Sequence, residues 1–293
     1  MSVFEGAGVA LVTPFTEDGV NFDTLKKMID FQIDGGIDSI VLCGTTGEPA
    51  TMTLEEKKAV IIEGIKYINK RVPAIVGTGA NCTQGAIEMS KFAQEAGADA
   101  LLLVTPYYNK CSQQGLIAHY NKIMDAVDIP CILYNVPSRT GVNIKPETLA
   151  VIAEHKNCAG IKEASGNISQ VAEMARLCKG KLEIYSGNDD QVVPLMSLGG
   201  KGVISVIANI APQISHDITH AYLDGDTKKA CELQLKYNPL ANAMFMDVNP
   251  IPIKMALNMI GFDAGPLRLP LSEMDEQKTA KLEGILRDFD LIK

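Results

Sequence analysis

The chain has 293 residues, of which 46% are hydrophobic and 21% charged, with a net charge of −8 and a pI near 5.1. This length buries a large core without disulfide or metal staples, and the acidic balance opposes a nucleic-acid partner. The apolar residues are too evenly spread for a membrane span and too numerous for disorder.

The first residues, Met1-Ser2-Val3-Phe4-Glu5-Gly6, show no basic stretch followed by an apolar one, so no export signal is read there and a cytoplasmic location is expected. Beyond them, short continuous apolar runs alternate with longer amphipathic ones. The short runs, at 9–12, 39–43, 74–76, 100–104, 131–134, 159–162, 182–186 and 202–206, read as strands buried on both faces. The segment 22–34 places Leu25, Met28, Ile29 and Ile33 on one helical face. The segment 54–68 does so with Val60, Ile61, Gly64 and Ile65, opened by a Thr53-x-x-Glu56 capping box. Thr83 stands before a helical stretch at 84–96 that stops at Gly97, and Pro146 takes the first helical position after Lys145.

Eight such strand-then-helix units predict an α/β protein, a (β/α)8 TIM barrel. An open doubly wound sheet is the alternative, but it would carry a Gly-rich phosphate fingerprint. After about residue 223 the strand-like runs stop, and 226–246, 251–259 and 272–291 read as helices. The expected division is a catalytic barrel over 1–224 and a C-terminal helical extension over 225–293. Seven cysteines (Cys43, Cys82, Cys111, Cys131, Cys158, Cys178 and Cys231), odd in number and without a C-x-x-C pair, read as core filler.

In such a barrel the active site lies at the carboxyl ends of the strands. Lys162 ends the sixth run, where a buried ammonium is costly unless paired or deprotonated. A lysine in that position is suited to attack a carbonyl and form a Schiff base. The competing structural reading is a lysine that snorkels or pairs with Glu163. Tyr134 ends the run before it and offers a phenol for proton transfer. Thr45 and Thr46, flanked by Gly44 and Gly47, offer hydroxyls and approachable backbone N–H groups. Arg139, in a loop between Pro137 and Gly141, suits bidentate capture of a carboxylate. Their structural alternatives are a core tyrosine, a plain tight turn and a solvated arginine.

Three other patterns carry less. His216-Asp217-Ile218-Thr219-His220 imitates a zinc helix but has Asp where Glu is needed and no third ligand at the usual spacing. Gly199-Gly200-Lys201-Gly202 lacks Walker spacing, and Gly77-x-Gly79 lacks the third glycine of a dinucleotide fingerprint. Chemistry without a cofactor or metal is therefore expected.

Gly44-Thr45-Thr46-Gly47-Glu48 together with the strand-end Lys162 resembles the pyruvate-dependent class I aldolases of the N-acetylneuraminate lyase superfamily, and within it the dihydrodipicolinate synthase branch. The strings Val104-Thr105-Pro106-Tyr107-Tyr108-Asn109, Tyr134-Asn135-Val136-Pro137-Ser138-Arg139-Thr140-Gly141, Gly160-Ile161-Lys162-Glu163-Ala164, Leu198-Gly199-Gly200-x-Gly202-Val203-Ile204-Ser205 and Asn249-Pro250-Ile251-Pro252-Ile253-Lys254 carry it along the whole chain. The resemblance implies that pyruvate forms a Schiff base with Lys162 and condenses with L-aspartate-4-semialdehyde in diaminopimelate and lysine synthesis. It implies a relay of Tyr134, Thr45 and Tyr108, with Tyr108 reaching in from a neighbouring subunit. Thr46 would hold the pyruvate carboxylate, Arg139 the semialdehyde carboxylate, and Gly187 and Ile204 would line the site through backbone groups. It further implies a homo-oligomer, a tetramer built as a dimer of dimers, with no membrane or nucleic-acid partner.

The alternative within the superfamily is an N-acetylneuraminate or keto-deoxy sugar acid lyase using the same lysine. Thr45, where sialic acid lyases tend to carry Ser, and Arg139, suited to a small carboxylated aldehyde, favour the synthase. A catalytically silent binding barrel would have lost Lys162 or Tyr134. In this family lysine often inhibits at a cleft near Ala50, Asn81 and Tyr107. The sensitive relatives tend to have histidines where this chain has Leu54 and Lys57, and Glu where it has Gly85, so weak or absent lysine feedback is expected.

Overall fold

A computed structural model describes residues 2–293. Its eight parallel strands close in sequence order into a barrel: β1 (Gly6–Ala10), β2 (Ser39–Leu42), β3 (Ala74–Gly77), β4 (Ala100–Val104), β5 (Cys131–Asn135), β6 (Cys158–Glu163), β7 (Glu183–Ser186) and β8 (Gly202–Ser205). The helices are α1 (Phe22–Asp34), α2 (Leu54–Ile68), α3 (Thr83–Glu95), α4 (Gln113–Met124), α5 (Pro137–Thr140), α6 (Pro146–Ile152), α7 (Ile168–Cys178), α8 (Val192–Met196), α9 (Pro212–Leu223), α10 (Thr227–Ala243), α11 (Ile251–Met259) and α12 (Glu276–Asp288). The expected TIM barrel followed by further helices is the fold found.

Alternation along the strands sorts their side chains into two cores. Outward residues such as Val9, Ile40, Leu101, Leu133 and Ile161 pack under the helices. Inward residues such as Ala10, Val41, Ile75, Leu102, Ile132 and Ile204 fill the barrel. Below the open rim, Phe4 stacks on Tyr185 with centroids 4.4 Å apart, and the Tyr185 hydroxyl donates to the Phe4 carbonyl at 2.8 Å. The interior is thus filled from below, and the rim at the strands' carboxyl ends is left for a site.

Two local expectations shift. The first strand begins at Gly6, ahead of the apolar run at 9–12, because the seam with β8 pairs Gly6 with Gly202, and a Cβ on Gly202 would collide with the Gly6 carbonyl. Close approach, which only glycine permits, extends the ladder through residues of poor strand propensity. Thr83 is the first residue inside α3 and does not cap it; its hydroxyl pairs with His119 Nδ1 at 2.9 Å. The Thr53–Glu56 capping box and Pro146 at the head of α6 stand as expected.

Candidate active site

Lys162 rises from β6 into the barrel mouth with only 4% of its surface exposed. Its register partner on β5 is Tyr134, whose ring centroid lies 4.5 Å from Lys162 Nζ. Strand alternation sends the next residue the other way. Glu163 points into the outer layer, where it accepts from Asn135 Nδ2 at 2.8 Å and the Ser165 amide at 2.7 Å. The pairing of Lys162 with Glu163 therefore does not occur, since neighbours on one strand face opposite sides of the sheet.

Burial lowers the Lys162 amine from its ordinary 10.5 to about 8; the charge of Asp189 opposes this and that of Arg139 adds to it. At neutral pH roughly a tenth of such a lysine is uncharged, roughly 300-fold more than for an ordinary one. Gly187 makes the room: a Cβ there would sit 3.0 Å from Lys162 Cε and 2.7 Å from the Ala164 methyl. Burial raises the Tyr134 phenol, while the Arg139 charge and the Thr45 side chain pull it down.

Two adjoining cavities meet at Tyr134, Val136, Arg139 and Asn249. One, of about 480 Å³, holds Lys162, Thr46 and Gly187. The other, of about 470 Å³, holds Thr45, Glu48, Lys57 and Tyr107. Tyr134 thus stands between the amine and Thr45. Thr45 opens a short 3-10 turn, Thr45–Gly47, that follows β2. Arg139 is exposed at the end of α5, and its Nη2 donates to the Asn249 carbonyl at 2.7 Å.

Lys162, Tyr134, Thr46, Arg139 and Gly187 converge on one cavity, with Thr45 on the next. Ile204 lies in the barrel interior, fully buried on β8. Tyr108 does not join the site within the chain. It is 90% exposed, in a loop where its φ of 70° is left-handed.

Two functional neighbours escaped the sequence reading. Asn249 donates from Nδ2 to Thr46 Oγ1 at 3.1 Å and holds Arg139 through its carbonyl, so one residue of the extension touches two expected binding groups. The string 249–254 was visible as a motif, but nothing local tied it to the barrel. Asp189 is buried after β7 and accepts the Val206 and Ile207 amides at 2.9 and 3.0 Å, which fixes the loop after β8. Phe245, Asp247 and Val248 of the extension also wall the Lys162 cavity.

Among the described residues, one trio of metal-ligand type comes together: Asp38, His216 and His220, with donor atoms within 4.8 Å of one another. Hydrogen bonds already occupy it, His216 Nδ1 to the Gly36 carbonyl at 2.7 Å and His220 Nε2 to Asp38 at 3.0 Å. The imidazoles stack 3.9 Å apart and 24° from parallel, so their in-plane lone pairs do not converge on one point. No helix among the described residues is long and apolar enough to cross a membrane.

The model of the dihydrodipicolinate synthetase family matches residues 3–289. The chain is 54% identical over 293 residues to 4-hydroxy-tetrahydrodipicolinate synthase 1 of Clostridium acetobutylicum, with 100% of each covered. It is similar to the chloride-inhibited dihydrodipicolinate synthase of Acinetobacter baumannii solved with pyruvate, at 45% identity and a TM-score of 0.96 over 98% of this chain and 99% of that one. It is similar also to a monomeric dihydrodipicolinate synthase variant, at 38% identity and a TM-score of 0.97 over 99% and 98% of the two chains.

Proposed function

The chain belongs to the dihydrodipicolinate synthetase family and is an enzyme of the lyase class with 4-hydroxy-tetrahydrodipicolinate synthase activity; we propose that it works through a pyruvate Schiff base on Lys162. The observation that supports this best is an amine buried at the barrel mouth with its pKa near 8, beside a phenol and a threonine-lined turn. The neutral amine of Lys162 adds to C2 of pyruvate, and the carbinolamine loses water to give the imine. Loss of a proton from C3 gives the enamine, whose C3 attacks the aldehyde carbon of L-aspartate-4-semialdehyde. The amino group of that substrate then adds to the imine carbon and displaces Lys162, closing the ring.

Tyr134 and Thr45 carry protons to and from the carbinolamine and the new hydroxyl. Thr46 receives the pyruvate carboxylate. Its oxygen accepts from Asn249 Nδ2, which leaves its own O–H free to donate to that carboxylate. Arg139 receives the semialdehyde carboxylate at the mouth. Ile204 and Gly187 bound the pocket with backbone groups. The route needs no cofactor or metal from the protein.

Trapping tests it. Pyruvate with borohydride should leave a pyruvyl adduct that mass spectrometry places on Lys162 and that Lys162→Ala abolishes. A protein that turns over substrate without this adduct sinks the Schiff-base reading.

Tyr108, exposed and left-handed, completes the relay from a second copy in a dimer or tetramer. A monomer that keeps full activity in sedimentation-matched assays removes this part. Lysine feedback is weak or absent, because Lys57 adds a cation beside the second cavity and Gly85 offers no carboxylate for an ammonium. Strong inhibition by millimolar lysine at saturating substrates contradicts that.

A further inference from the structure

The turn that carries Thr45 and Thr46 ends in a residue whose backbone is at odds with its identity. Glu48 has φ 53° and ψ 41°, the left-handed conformation that glycine holds without strain and other residues rarely adopt. On one side the turn is pressed against the end of β1, since a Cβ on Gly47 would meet the Leu11 carbonyl and Thr13 Oγ1 at 3.0 Å. On the other, the Glu48 side chain runs into the extension. Its Oε1 meets Lys254 Nζ of α11 at 2.7 Å, with both side chains at 1% exposure or less. Its Oε2 accepts from the Arg268 backbone amide at 3.4 Å. Lys254 Nζ also lies 4.1 Å from the Phe15 ring centroid, and the Arg268 guanidinium lies 3.9 Å from it.

A fully buried ion pair is a poor source of stability relative to an apolar pair of the same size, because desolvation offsets the attraction. A glutamate in a left-handed position is likewise a poor choice for the backbone. Both features make sense if the pair serves placement. We propose that Glu48 and Lys254 are a positioning pair, by which the helical extension holds the Thr45–Thr46 turn in the shape that receives the pyruvate carboxylate. The proposal rests on the reading of Lys162 and Thr46 above. Position 48 then needs a carboxylate, which glycine lacks, and the motif 249–254 gains a use: Asn249 holds Thr46 directly while Lys254, one helical turn on, holds the end of the same turn.

The test uses the double variant Glu48→Gln with Lys254→Met, which removes both charges and strands neither. Its fold is checked by circular dichroism and thermal unfolding. The expected result is a KM for pyruvate raised about 10-fold, with the same shift in the pyruvate dependence of borohydride trapping, while the KM for the semialdehyde stays within about twofold. A pair that merely stabilises the fold moves the melting temperature and neither KM. A folded double variant with an unchanged pyruvate KM overturns the proposal. Should the double variant not fold, Glu48→Asp, which keeps the charge but shortens the reach to Lys254, gives the same readout. Wild-type protein that traps no pyruvate overturns the reading of Lys162 itself, which separates the two failures.

Discussion

Among the described residues two lysines are buried, Lys162 in the barrel and Lys254 in the extension, and their surroundings differ in what meets the amine. Lys254 has a carboxylate at 2.7 Å with almost no exposure, whereas Lys162 meets its opposing charge, Asp189, only through space. Burial lowers both amines, but in Lys254 the hydrogen bond and charge of Glu48 work against the loss of its proton. Both amines lie over an aromatic ring, Tyr134 at 4.5 Å and Phe15 at 4.1 Å, but Lys162 faces a cavity where Lys254 has a partner. The same apolar environment thus leaves the amine without a bonded partner in one place and ion-paired in the other, according to whether a carboxylate stands within reach.

Substitution by methionine, close in shape and without charge, should break the comparison cleanly. Lys162→Met should lose at least about 10³-fold in turnover while unfolding no more easily than wild type, because it removes a charge that folding desolvates without pairing. Lys254→Met leaves the Glu48 carboxylate buried alone and should destabilise by about 3–5 kcal/mol, most of it recovered when Glu48→Gln is added. Denaturant unfolding alongside turnover assays checks both. Equal stability losses in the two single variants would show that the lysines are held alike.

A smaller effect concerns pH. Folded Lys162 releases its proton near 8 while the unfolded lysine keeps it until 10.5. In that window the unfolded state binds more protons, so stability rises with pH, by up to about 3 kcal/mol across the window, and the penalty is present in full below about pH 8. Because other groups titrate there too, the measurement is the difference between wild type and Lys162→Met, which should shrink as pH rises. Pyruvate trapping should speed up as the pH rises through about 8 and level off above it, since only the neutral amine attacks.

Much of this contrast was readable from the chain. Lys162 stands out because a cation ends an apolar strand run, and β6 needs only local pattern to place it. Phe22–Asp34 and Leu54–Ile68 form helices with the bounds the periodicity predicts, because their caps are local as well. The tether was not readable. Glu48 and Lys254 are 206 residues apart, and each alone looks like an ordinary charged residue. Asn249 on Thr46 spans 203 residues in the same way. The division into barrel and appendage drew attention away from the extension, although Phe245, Asp247 and Asn249 wall the cavity. Tyr108 was legible as a motif residue, yet a single chain leaves it in solvent.

Asp189 supplies the finest test of the comparison, because it is the charge that keeps Lys162 from being wholly alone. Burial raises its own pKa, opposed by Ser205, by the Ile207 and Val206 amides and by Lys162. Asp189→Asn keeps an oxygen to accept those amides, so the loop after β8 stays in place while the charge goes. Burial and Arg139 then act on Lys162 unopposed, and the pH at which trapping accelerates should fall, by less than the displacement burial itself imposes. The pH–rate profile of trapping reads this directly. An unmoved profile would mean that Asp189 holds a proton in the free enzyme, so that Lys162 has no counter-charge at all and its contrast with Lys254 is complete.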